Sequence, residues 1–136
     1  MKTKTRLALV AASIAGVFSL PVVAHHSFAA AYNMQDPITI EGKIVNVRLT
    51  NPHSFFFLDV EGENGDLVRW SFEAGTPSGM IRNGYSKDVI KEGDTVTITG
   101  FRAKDATKPN GMLRQLVTAD GTVFGMFGPQ EGPGAR

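Results

Sequence analysis

The sequence contains no cysteine. This excludes disulfide staples, thiolate-ligated metal centres and attachment of a lipid to an N-terminal thiol. Histidine is scarce, with three in 136 residues, so any imidazole chemistry rests on His25, His26 and His53. No apolar run reaches the roughly 20 residues that a membrane-spanning helix needs; the longest, Leu7 to Leu20, falls short. Catalytic signatures are also missing. There is no nucleophile elbow, no phosphate-binding glycine loop and no HExxH pair. An excess of charge is lacking too, with 14 Lys+Arg against 13 Asp+Glu.

Residues 1–24 read as an export signal. Lys2, Lys4 and Arg6 precede the apolar run, and Val22-Val23-Ala24 supplies a small-residue cleavage site. The expected mature chain starts at His25, in a bacterial periplasm or secreted. A cut after Ala29 or Ala30 would instead remove His25 and His26. Cleavage after Ala24 takes away three basic residues and no acids. That leaves 11 basic against 13 acidic residues, a net charge of −2. A basic surface for nucleic acid is therefore not expected, nor is membrane insertion after cleavage.

The stretch from Ile38 to Phe72 organises the rest. Ile38, Ile40, Gly42 and Ile44 alternate with polar residues, as in a half-buried strand. The phase then flips to Val45, Val47 and Leu49, which predicts a β-bulge, with Gly42 easing the bend. Ser54–Val60 and Leu67–Glu73 follow as strands two and three. The Asn64-Gly65 pair predicts the tight turn between them, since both positions tolerate positive φ. Thr76 or Ser78 can cap a short helix with Pro77 in its first turn, ending near Asn83-Gly84. Thr95–Arg102 and Met112–Ala119 are strands four and five, and Thr122–Phe124 a short sixth.

Three strands, a helix and two strands is the order of an OB fold. The expected architecture is all-β with one short helix, a five- to six-stranded OB-like Greek-key barrel. Residues 25–36 form an arm, 37–124 the barrel, and 125–136 a disordered Gly/Pro-rich tail.

The segments AHHSF, EGKIVNV, NPHSFFFLDV, the W-x-F-E of Trp70 to Glu73, and IKEGDTVTITG resemble the DUF6152 family of small exported bacterial proteins of unknown function. The resemblance runs from about His25 to Phe124. It implies a small periplasmic β-barrel and brings no activity with it. It adds weight to His25, His26, Asn51, Pro52 and His53 as shared motif positions.

Those histidines are the candidate metal ligands. A mature N-terminal His25 offers a free amine, whose ordinary pKa lies near 8, and an imidazole. That chelate suits Cu(II), and imidazole also suits zinc and nickel. His26 or His53 could complete it if the arm folds back onto the NPHS turn. The plain alternative is a flexible start and a turn histidine bonded to backbone. Phe55, Phe57 and Trp70 form a candidate ligand face, although core packing accounts for most such rings. The carboxylates Asp59, Glu61 and Glu73 read as a solvated face.

The expectation is thus a binding module rather than an enzyme, with copper as the candidate cofactor. The competing expectation is a metal-free protein-interaction or envelope-stress module with a periplasmic protein partner, using the barrel face and the 103–111 loop. An enzyme would need an open coordination position on the metal.

Overall fold

The computed structural model describes residues 28–126. The expected export signal, His25, His26 and all but the first two residues of the expected tail lie outside that range. The described residues form an all-β fold in the order α1 (Phe28–Ala31), β1 (Tyr32–Arg48), β2 (Phe55–Glu61), β3 (Leu67–Glu73), α2 (Pro77–Arg82), β4 (Thr95–Ala103), β5 (Asn110–Thr118) and β6 (Val123–Gly125). The sheet order is β3-β2-β1-β4-β5-β6, and a short parallel pairing of β3 with β5 closes it into a barrel-like ring. Among the described residues no helix is long and apolar enough to cross a membrane.

The phase flip in β1 has the expected cause. Ile44 pairs with Leu58 and Asn46 with the adjacent Phe57, so Val45 is the extra residue of a bulge. The bulge lets β1 serve two neighbours, β4 along its first half and β2 along its second. Gly42 lies where the strands crowd. A Cβ there would stand 2.8 Å from the Asp59 carbonyl oxygen. In the β2–β3 turn Gly65 has φ +79° but Asn64 does not take positive φ, and the loop closes through Gly62 N to Asp66 O at 2.8 Å. The Thr76 hydroxyl accepts from Gly79 N at 3.1 Å and caps α2.

The interior is filled from every strand. Ile44, Phe56, Leu58, Phe72, Ile98, Met112, Leu113 and Leu116 are all buried. Each such side chain contributes about 1.5–3 kcal/mol by leaving water. Two boundaries differ from expectation. β1 begins at Tyr32 rather than after Pro37, because Tyr32 pairs with Ala103 across an irregular stretch ahead of Pro37. Gly125 and Met126 belong to the fold: Met126 is buried and its N–H donates to the Arg114 carbonyl at 3.0 Å.

One core feature carries a prediction. The hydroxyl of Ser54 is fully buried and has no hydrogen-bond partner. A buried, unpaired polar group costs about 1–3 kcal/mol. Ser54→Ala is expected to raise the denaturation midpoint by an amount equivalent to about 1 kcal/mol. A lowered midpoint in urea would show that the hydroxyl has a stabilising role.

Candidate functional site

The candidate site sits where β1 hands over to β2. Residues 49–54 reverse the chain, with a cis peptide bond at Asn51-Pro52. The Thr50 hydroxyl donates to the His53 carbonyl at 2.9 Å and braces the turn. Beyond β2, Ser54 N donates to Gly75 O at 2.9 Å and Ala74 N to Ser54 O at 2.8 Å. These bonds continue the β2–β3 ladder past the Phe55–Glu73 pair and bring His53 alongside Glu73.

Glu73 is the hub. One carboxylate oxygen meets His53 Nδ1 as an ion-pair contact, and the other accepts the phenol proton of Tyr32. The Glu73 side chain is 17% exposed and that of His53 35%. Tyr32 arrives from the far end of β1 and is buried. Burial first, then the hydrogen bond and the negative charge of Glu73, push its phenol above the ordinary 10.0. The Phe28 ring covers the corner, 6.2 Å from the Tyr32 ring and 5.5 Å from the His53 ring. Lys104 N donates to Ala31 O at 3.0 Å and ties the arm to the end of β4.

The chemistry of His53 follows from Glu73. With Nδ1 turned to the carboxylate, Nε2 is the nitrogen that a neutral ring would offer to a metal. A carboxylate-oriented imidazole of this kind is the common state of a metal-ligating histidine. It is also the state of a histidine base. Among the described residues no three His, Cys, Asp or Glu side chains gather as a metal cage. This corner therefore contributes one imidazole, oriented by one carboxylate.

The raised phenol gives a solution test. Only two tyrosines are present, and burial also raises Tyr85. Both are expected to ionise above 10.0 in the native protein, so phenolate absorbance should lag behind that of the unfolded chain. The sign for stability follows by linkage. The Tyr32 contribution is complete below about pH 10 and declines as pH rises above it, because the unfolded state loses its proton first. Tyr32→Phe should remove part of that alkaline decline. A native phenolate titration centred at 10 would contradict the described hydrogen bond.

The candidate ligand face divides. Phe55 and Phe57 lie on the outer face with ring centroids 6.3 Å apart. Trp70 pairs with Leu58, points inward and stacks on Phe72 at 5.8 Å. The Arg102 guanidinium lies 5.1 Å from the Trp70 ring centroid. In place of Trp70, the outer pair has Arg48, whose guanidinium lies 5.2 Å and 5.4 Å from the two rings. Asp59 is held by Arg69 at 2.8 Å and 3.0 Å, and that bond draws its carboxyl below the ordinary range.

Glu73 and Tyr32 are the functional candidates that pattern reading passed over. Glu73 had a signal that was short by one residue: a two-residue turn at Asn64-Gly65 would set Phe55 opposite Ala74, whereas the loop centres on Asn64 and sets Phe55 opposite Glu73, next to His53. Tyr32 had none, since its partner Ala103 is distant in sequence.

Residues 13–112 match the model of DUF6152, a family of unknown function. The chain belongs to the DUF6152 family. The match to DUF6152 includes Tyr32, His53 and Glu73 and ends within β5. No curated protein matches this DUF6152 chain.

Proposed function

We propose that this DUF6152 protein is an exported, periplasmic binding module for a divalent transition metal, copper(II) first. His53 Nε2 serves as one ligand, and the amine and ring of a mature N-terminal His25, with His26, supply the others. The observation that carries the reading is the contact between His53 Nδ1 and the Glu73 carboxylate. It fixes the imidazole with its metal-accepting nitrogen free.

The position of the arm adds support. Phe28 packs on His53, and His26 and His25 are two and three residues before it in sequence. A chain covers up to about 3.5 Å per residue, so both histidines are tethered within about 10 Å of Phe28. Nitrogen donors with a carboxylate nearby favour copper over calcium or magnesium. The test is metal titration of the mature chain and of His53→Ala. Loss of at least about tenfold in Cu(II) affinity is expected; equal affinity in both would remove His53 from the site.

A second reading is a protein-interaction or envelope-stress module that uses the 103–111 loop. In its favour, the loop is braced from within: Asp105 pairs with Lys108 at 3.0 Å and accepts from Thr107 N at 3.2 Å. It therefore presents a preformed surface. This reading predicts that substitutions at Lys104 and Lys108 abolish capture of a periplasmic partner, while N-terminal changes leave it intact.

A further inference from the structure

A second candidate site lies on the other edge of β1, away from His53. β4 leaves β1 at the Lys43–Thr95 pair. The segment before β4 continues alongside, with Ile44 N donating to Asp94 O and Gly93 N to Ile44 O, both at 2.8 Å. Past Ile44 no strand pairs with that edge among the described residues. The space left is a cleft of about 290 Å³. Asn46 and Val47 form one wall, the buried Tyr85 and Ile90 line the interior, and the exposed Lys87 and Lys91 stand at the rim.

The charges at this cleft are unmatched. Neither lysine forms an ion pair among the described residues, and neither does Arg48. Arg48 stands two residues beyond Asn46 on the same face of β1. There it is held over Phe55 and Phe57, which pair with Arg48 and Asn46 across the strands. One acid, Glu92, lines the cleft. Asp88 and Asp94 line an adjoining depression, and Lys91 borders both. At the cleft itself two lysines, neither in an ion pair among the described residues, face one lining carboxylate, while Asp94 accepts from the Lys91 backbone N–H at 3.0 Å on the adjoining side.

We propose that this cleft binds a small organic anion with a flat apolar body, an aromatic carboxylate being the simplest example. The carboxylate lies between Lys87 and Lys91, and the ring extends past Asn46 towards Phe57 and Arg48. Each feature has a task. The ammonium groups attract and hold the anion with charge-assisted bonds. The Asn46 amide, which makes no hydrogen bond among the described residues, is a spare donor, and the aromatic pair offers a flat apolar surface beside a cation. Size decides against a macromolecule, since the cleft is at the low end of the roughly 300–1,000 Å³ range of small-ligand pockets.

The experiment is NMR amide-shift mapping of the mature, metal-free protein with three probes: benzoate, inorganic phosphate and benzyl alcohol. Benzoate should saturate below about 10 mM and shift residues 46–48 and 85–92. Phosphate lacks the ring and benzyl alcohol lacks the charge, so each should bind at least about tenfold more weakly. Lys87→Ala with Lys91→Ala should weaken benzoate by at least about tenfold, and Arg48→Ala should also weaken it. All three side chains are exposed, so the thermal midpoint should hold, which separates loss of binding from loss of fold. Two results would overturn the proposal: no saturable benzoate shift at these residues, or benzoate affinity unchanged in the double lysine variant. Chelator is present throughout, so neither result bears on the His53 metal reading.

Discussion

Gly100→Ala is expected to unfold the domain or bring it close to unfolding. β4 and β5 meet most tightly at this residue. The pairing steps from Thr99–Gln115 to Gly100–Leu113, so Arg114 is an extra residue in β5. A Cβ on Gly100 would stand 2.0 Å from the Met112 carbonyl oxygen and 3.0 Å from its carbon. Both are backbone atoms, so no side chain can rotate away. Relief requires β5 to move by about 1 Å, yet Met112 and Leu113 are both fully buried core residues. Overpacking against flexible groups costs about 1–3 kcal/mol; here the cost should exceed about 4 kcal/mol, a large share of the 5–15 kcal/mol typical of a domain. Gly62→Ala is the control. Its nearest neighbour would be the Asp66 oxygen at 3.3 Å, and its cost should stay near 1 kcal/mol or below, about the general range for surface changes. Urea midpoints of the two variants check the contrast, and similar midpoints would contradict the described register.

Glu73→Gln is expected to impair stability, metal binding or both. The carboxylate serves two partners at once, accepting from the Tyr32 hydroxyl and contacting His53 Nδ1. A glutamine amide has one acceptor oxygen and a donor NH₂. It can serve Tyr32 or His53 but not both. If it keeps His53, the buried Tyr32 hydroxyl is stranded, at about 1–3 kcal/mol. If it keeps Tyr32, the His53 ring loses the partner that fixes its orientation. Removing such a partner from a ligating histidine costs about 10–100-fold in metal affinity. The variant should therefore show a lower urea midpoint, weaker Cu(II) binding, or both. Wild-type values for both would mean that the hub does no work.

Much of the ring was legible from residue pattern. The apolar phase flip at Ile44-Val45 marked the bulge, the Asn64-Gly65 pair marked the hairpin, and Thr76-Pro77 marked the start of α2. These signals are local, set by backbone sterics and side-chain parity. The faces of β2 and β3 needed one more step. Alternation alone separates Phe55 and Phe57 from Phe56 and Leu58, but it does not say which set Trp70 joins. Counting through a two-residue Asn64-Gly65 turn would set Leu58 opposite Ser71, but the loop closes from Gly62 to Asp66 and sets Leu58 opposite Trp70, which places that ring inside. The same one-residue shift brings Glu73 to His53, and local residue pattern did not carry it. The early start of β1 could not be read locally either. Asn33 to Asp36 show no alternation, and the strand there depends on Ala103 and on the Ala31 carbonyl bond to Lys104. Non-local pairing overrode a local sequence that resembles an arm.

The central claim is that the arm and the NPHS turn build one metal site. The most direct measurement is Cu(II) titration by calorimetry and EPR on two mature proteins. One begins at His25, confirmed by mass spectrometry, and the other carries one additional N-terminal residue. Tight, nitrogen-rich binding is expected in the first, weakened by His53→Ala, and a clear loss in the second. Equal, weak binding in both would contradict it and leave His53 as a turn residue held by Glu73.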